Sequence, residues 1–299
     1  MTPVLASIAF RDPEGARRHL TRAFAQISPT LAAVLPGLLA EAPDADSALL
    51  LFERFVEQSA ELRAELSRQP VLAHYSILVF GHSRYLGGTL FREPGLLQAL
   101  HAEGQLHRGF SSQDYSSSLM RFRARSPERD SSLLLARFKK REYVRILLRD
   151  VLGIATLAET TAEISALSDV LVQAVLSEVE GSLERRFGTP QYTAADGRLC
   201  RVPFAVLAMG KLGGNELNYS SDIDLLYLHG DGEGNQGREI SNHEYFIRMA
   251  QRVTDVLSRV TEEGPVFRID LRLRPQGRDG ELAVGVSQAV PYYRQKAED

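Results

Sequence analysis

Two aspartates one residue apart lead into an apolar run in Ala208-Met-Gly-Lys-Leu-Gly-Gly-Asn-Glu-Leu-Asn-Tyr-Ser-Ser-Asp-Ile-Asp-Leu-Leu-Tyr-Leu228, and few folds accommodate that pattern. Side chains alternate faces along a strand, so Asp222 and Asp224 point the same way, about 7 Å apart, while Ile223 and Leu225 point into a core. Two carboxylates held together on a rigid element repel each other unless a cation sits between them, and hard oxygen donors favour Mg²⁺ or Mn²⁺. Upstream, Val206-Leu-Ala-Met209 reads as a buried strand, and Gly210, Gly213 and Gly214 permit a turn that can approach a phosphate closely. An isolated Asp-x-Asp commonly marks only a turn or a solvated strand end. The setting between a glycine turn and an apolar strand is what points to metal-dependent nucleotidyl transfer. Lys211 can reach a phosphate, although loop lysines are more often solvated, and Glu216 reads as a first-turn helix residue.

A third acid lies in Phe267-Arg-Ile-Asp-Leu-Arg-Leu-Arg-Pro275. Its alternation places Phe267, Ile269, Leu271 and Leu273 on one face and Arg268, Asp270, Arg272 and Arg274 on the other. Pairing with the first strand at the usual spacing of about 4.8 Å would bring Asp270 beside Asp222 and Asp224. Three carboxylates would then hold two divalent ions, the arrangement that supports in-line phosphoryl displacement. Arg272 and Arg274 would face the same pocket, where guanidinium forks suit phosphate oxygens. The bland alternative is a solvated sheet face whose arginines pair with acids.

The rest of the chain is read as helical up to residue 188. Ser47–Leu62 and Ser165–Glu180 repeat apolar residues at helical spacing, Pro70, Gly81, Pro94 and Gly104 punctuate shorter helices, and Phe110–Tyr115 reads as a serine-rich turn. Gly188-Thr-Pro190 ends the last long helix, so the expected division is a helical domain over 1–188 and a small mixed-sheet domain over 189–299. The loop from Gly230 to Gly237 leads to a helix beginning near Ser241. The sequence stops at Asp299 inside an expected helix, which reads as a truncated carboxy-terminal side.

Composition fits a globular enzyme, with 44% hydrophobic and 24% charged residues. A net charge of -3 argues against nonspecific nucleic-acid binding. Cys200 is the single cysteine, which excludes an intrachain disulfide and a cysteine metal cluster and suits a reducing cytoplasm. No apolar run reaches the length of a membrane span. Arg137-Phe-Lys-Lys-Arg141 with Arg145 and Arg149 gives a helix a basic face, read as solvated or, less often, as a phosphate or partner contact. The seven histidines are scattered without a His-x-x-x-His pair, which disfavours an imidazole metal site.

Gly-Lys-Leu-Gly-Gly-Asn-Glu-Leu-Asn-Tyr-Ser-Ser-Asp-Ile-Asp-Leu-Leu, with Phe-Arg-Ile-Asp-Leu-Arg-Leu-Arg-Pro-Gln-Gly downstream, closely resembles the bifunctional glutamine synthetase adenylyltransferase/adenylyl-removing enzymes. That family belongs to the DNA polymerase β-like nucleotidyltransferases. The resemblance implies an α+β fold, an amino-terminal helical array followed by a small mixed-sheet nucleotidyltransferase domain. It also implies Asp222, Asp224 and Asp270 as catalytic metal ligands for Mg²⁺ or Mn²⁺, with Gly210, Lys211, Gly213, Gly214 and Ser221 facing phosphate or nucleotide. The superfamily's usual Gly-Ser or Gly-Gly at the strand end is Gly210-Lys211 here, which blurs which glycine touches phosphate. The family's enzymes carry two such units and this chain one motif set. Starting at Met1 with a long helical approach to the motif, the chain resembles the amino-terminal, adenylyl-removing half. The implied reaction is phosphorolysis of adenylylated glutamine synthetase in the cytoplasm, with phosphate, ADP or ATP as small ligands and the PII signalling protein as a further partner. Adenylylation from ATP, another nucleotidyl acceptor, and a regulatory helical module without activity remain the alternatives.

Overall fold

The computed structural model describes residues 8–232 and 239–296. Residues 233–237 of the expected glycine-rich loop and 297–299 of the expected last helix therefore lie outside the described residues. The fold is α+β, with thirteen α-helices among the described residues and a small mixed sheet. No helix among them is long and apolar enough to cross a membrane.

The chain divides into two units, residues 1–109 with 140–160, and residues 110–139 with 161–299. The expected boundary near 188 instead marks the change from helix to strand within the second unit: one helix ends at Phe187 and the first strand begins at Gln191.

In the first unit, α1 (Pro13–Phe24), α2 (Pro29–Ala40), α3 (Ala45–Glu57), α4 (Ala60–Arg68), α5 (Pro70–His82), α6 (Arg84–Arg92) and α7 (Leu96–Ala102) follow one another over short connections. Asp12, Ser28, Asp44, Ser59 and Ser83 each cap a helix by accepting from a backbone N–H of its first turn. Leu31, Leu35, Leu39 and Phe52 are fully buried in this core. Phe55, Phe80 and Phe91 form an aromatic cluster with centroids 5.5 to 5.7 Å apart.

α8 (Ser112–Arg125) occupies the stretch expected to be a turn. Its amino terminus is a reciprocal capping box between Ser111 and Asp114, so the serine cluster starts the helix. α9 (Ser131–Val151) and α10 (Leu157–Phe187) follow, and the division between the units cuts both. The basic residues of α9 are not solvated. Lys139, Lys140, Arg145 and Arg149 are all buried, and each reaches a partner there. Arg145 donates to the carbonyls of Gln105 and Arg108, and Arg149 to that of Leu106 at 2.7 Å. Lys139 donates to the Val266 carbonyl, and Lys140 sits 3.9 Å from the centre of the Tyr85 ring.

The second unit holds the strands. β1 (Gln191–Thr193) and β2 (Leu199–Arg201) make a short hairpin. β3 (Phe204–Met209) pairs antiparallel with β4 (Ile223–His229), and α11 (Gly210–Gly213) is a single turn between them. α12 (Asn242–Ser258) is the crossover that lets β5 (Ile269–Asp270) run parallel to β4, and β6 (Ala283–Gly285) also pairs parallel with β4 ahead of α13 (Val286–Lys296). α12 starts where expected, with Ser241 accepting from Glu244 N at 3.1 Å. β4 is central, with Ile223, Leu225, Leu226 and Tyr227 buried. Among the described residues β3 pairs only with β4 and is an edge, and Leu207 and Ala205 are exposed, so it is not the buried strand expected.

Candidate active site

The site begins at the end of β3. Met209 lies opposite Asp224 in the antiparallel ladder, and Asp224 lies opposite Asp270 in the parallel one. Two carboxylates far apart in sequence thus become direct neighbours through backbone register. Asp222 stands one residue before β4, with Ile223 between the two acids fully buried. The core therefore anchors the segment that presents them, as the alternation of the sequence predicts.

Gly210 turns the chain at φ 54°, and a Cβ built there would stand 2.5 Å from an Asp224 carboxylate oxygen. Only glycine allows both that backbone and that approach. A Cβ at Gly213 would stand 2.5 Å from the Ala208 carbonyl, so the turn is folded tightly onto β3. Lys211 projects from this turn, exposed, and Gly214 follows it. Ser221 is half-buried just before Asp222, its N–H donating to the Asn218 carbonyl at 3.2 Å.

Arginines hold two of the acids. Arg268 makes an ion pair with Asp222 and donates to the Ser220 carbonyl at 2.5 Å. Arg272 grips Asp270 through Nε, at 2.8 and 3.0 Å to the two oxygens, and through its backbone N–H at 2.8 Å. Those bonds hold the Asp270 carboxyl below its ordinary range, the side-chain bonds of Arg272 contributing most. Asp224 is the opposite case. Burial, and after it the charges of Asp270 and Asp222, raise its carboxyl above the ordinary value.

The expected strand over 267–275 is much shorter. Only Ile269 and Asp270 are strand, and the chain turns at Leu271, leaving Leu273 exposed at 45%. Arg274 then leaves the face assigned to it: its guanidinium donates to the carbonyls of Leu271, Gly280 and Arg278 at 3.0, 3.1 and 3.0 Å. It closes the 271–280 loop on itself. Arg272 remains beside Asp270 as expected. Arg268 shares the Asp270 face by alternation but proves to be the cation on Asp222, and the turn that carries Arg278 is closed by hydrogen bonds that no periodicity reports.

Among the described residues, no group of three or more His, Cys, Asp and Glu side chains is gathered into a cation site. The reason is visible in the ion pairs, since Asp222 is turned to Arg268 and Asp270 to Arg272. The donor chemistry nevertheless fits a hard divalent cation: three carboxylates, two of them in register, the Asp224 carboxyl held against the other two acids.

Comparison with known proteins gives one answer. The family model for glutamate-ammonia ligase adenylyltransferase matches residues 75–299. The chain is 36% identical over 253 residues to a bifunctional glutamine synthetase adenylyltransferase/adenylyl-removing enzyme of Shewanella loihica, covering 83% of this chain and 26% of that protein. It is 38% identical over 225 residues to the protein of the same name from Nitrosococcus oceani (74% and 23%), and 35% identical over 221 residues to that from Haemophilus ducreyi (72% and 23%). The chain thus spans about a quarter of the length of these curated relatives. With three quarters of its residues matched by the family model, and the motif-bearing turn, strand and third acid all inside the matched region, the chain belongs to the glutamate-ammonia ligase adenylyltransferase family.

Proposed function

We propose that this chain carries a nucleotidyltransferase centre that removes AMP from the adenylylated tyrosine of glutamine synthetase by phosphorolysis. The observation that carries the reading is the register that sets Asp270 beside Asp224, with the Gly210 turn packed on the Asp224 carboxylate. Asp222, Asp224 and Asp270 would hold Mg²⁺ or Mn²⁺, which when bound neutralises charge on a transferring phosphoryl group. The protein's own part is placement. Backbone N–H groups of the Gly210–Gly214 turn and Lys211 would meet phosphate oxygens, Ser221 directly precedes Asp222, and Arg272 stands at Asp270. In the reaction the bond between the AMP phosphorus and the tyrosine oxygen breaks as a bond to an oxygen of inorganic phosphate forms, giving ADP and free tyrosine.

Support for removal over addition comes from the helical approach to the motif, which resembles the amino-terminal half of the family's enzymes. The relatives' name joins both activities, so transfer of AMP from ATP is the second reading. A cytoplasmic setting and regulation through the PII protein belong to the same proposal. The deciding experiment incubates the chain with Mg²⁺ or Mn²⁺ and either adenylylated synthetase plus phosphate or unmodified synthetase plus ATP. ADP release in the first mixture supports removal, and labelling of the synthetase in the second reverses the direction.

A further inference from the structure

Four arginines occupy the segment from 268 to 278, and the structure gives three of them internal tasks. Arg268 pairs with Asp222, Arg272 with Asp270, and Arg274 with three backbone carbonyls. Arg278 has no hydrogen-bond or ion-pair partner for its side chain among the described residues. Its nearest acids in sequence do not account for it: Glu281 pairs with His243 at 3.3 Å, and the adjacent Asp279 makes no ion pair with it.

Its position is nevertheless fixed. The Arg274 guanidinium gathers the Leu271 carbonyl, next to Asp270, and the Arg278 and Gly280 carbonyls, so the loop returns to the residue after the third acid. Backbone bonds tighten it further, from Gly277 N to Arg274 O at 2.8 Å and from Asp279 N to Gln276 O at 3.3 Å. Gln276 and Gly277 both adopt left-handed backbone, at φ 61° and 58°, uncommon for the non-glycine Gln276. The result is an exposed guanidinium on a braced loop, close enough for its charge to help lower the Asp270 carboxyl. A long cationic side chain is usually left to wander; here the backbone that carries it is pinned on both sides beside a cluster of acids.

We infer that Arg278 is a phosphate-binding residue of this site, presented by the loop that Arg274 closes, and that Arg274 is a positioning residue and not a ligand contact. The ligand chemistry is a phosphate group, of inorganic phosphate or of ADP, which a guanidinium fork engages through two oxygens. Arg272 is committed to Asp270 and can turn to phosphate only by giving up those bonds, whereas Arg278 gives up nothing. This assignment rests on the nucleotidyl-transfer reading above.

The test is calorimetric titration of the 299-residue chain with ADP and, separately, with inorganic phosphate, both with Mg²⁺, alongside thermal unfolding. Arg278→Ala is expected to weaken at least one of the two ligands about tenfold, with a midpoint of unfolding within about 2 °C of the parent. Arg274→Ala is expected to lower the midpoint by several degrees and to weaken the same ligand, because the loop opens. If Arg278→Ala fails to fold, Arg278→Gln, which keeps the side-chain length, takes its place. Parent-like affinity for both ligands in the folded variant overturns the assignment. A parent chain that binds neither ligand would instead sink the nucleotidyl-transfer reading, and the role of Arg278 with it.

Discussion

The basic stretch of α9, Arg137 to Arg149, and the basic stretch around the third acid, Arg268 to Arg278, look alike in sequence and are put to opposite uses. In α9 most of the charges are buried on carbonyls and rings, Arg145 at 0% exposure and Arg149 on the Leu106 carbonyl, with Arg141 half-buried against Glu93. Around the site the Arg268 and Arg272 side chains are 66% and 64% exposed while touching carboxylates. A buried cation that satisfies carbonyls cannot leave without exposing them to an apolar interior, so it belongs to the structure. An exposed cation on an exposed carboxylate, as Arg268 on Asp222, gains little from the pairing, because water and salt replace either partner cheaply, so it can be exchanged for a ligand, whereas the Asp270 carboxylate under Arg272 is only 13% exposed. Burial, and not charge density, separates the two roles.

The sharpest way to break this contrast is Arg145→Ala. It removes the buried cation that pairs with Glu142 and donates to the carbonyls of Gln105 and Arg108, and should lower unfolding free energy by about 3 to 5 kcal/mol. Urea denaturation followed by circular dichroism measures it, and a loss below about 1 kcal/mol would mean the helix tolerates an empty basic position. Asp224→Asn comes next. Removing one of three oxygen donors should weaken Mn²⁺ binding at least about tenfold by titration, while the fold persists. Its effect on stability has a defined sign. The folded chain holds the Asp224 proton more tightly than the unfolded chain, so the stability tied to that proton is lost as pH rises from the ordinary carboxylate range through the raised value. At neutral pH the asparagine variant should therefore be as stable as the parent or slightly more so.

Arg268→Ala tests the exposed side of the comparison. Its stability cost should stay below about 1 kcal/mol, and with the competing guanidinium gone from Asp222, Mn²⁺ should bind a few-fold more tightly in the absence of phosphate. Weaker metal binding would make Arg268 a support for the acids instead of a competitor. The smallest effects are expected in the loop. Leu271→Ala, at a half-buried position, should cost about 1 kcal/mol, and Leu273→Ala, at an exposed one, under about 0.5 kcal/mol by thermal unfolding.

What the sequence made legible follows the same physics. The acidic strand was readable because Ile223 and Leu225 alternate with Asp222 and Asp224 and both apolar residues end in the core. The helix starting after Ser241 was readable from its cap. The segment 267–275 offered an even better alternation and was misread past Asp270. Its fate is set by Arg274 reaching carbonyls as far as Gly280, a tertiary bond that periodicity cannot contain. At Ser111 the signal was present, since a serine three residues before an aspartate is a helix start, and the serine cluster masked it. The basic face of α9 was misjudged because helical spacing shows which residues share a side but not what covers that side.

The parallel pairing of β4 with β5 extends over two residues on each strand, and one of those two pairs is Asp224 with Asp270. A parallel partner cannot arrive by a hairpin; the chain must first close the long excursion through α12, at an entropic cost met before any contact returns it. A nascent chain therefore emerges with Asp222 and Asp224 already on their strand and nothing opposite them until the crossover has docked. The same brevity works in reverse, since fraying by two residues at β5 parts the acids while the helices and the antiparallel pair stand. The juxtaposition of Asp224 with Asp270 is thus expected to form late in folding and to part early in unfolding, so that a chain with its acids separated would still look almost entirely native.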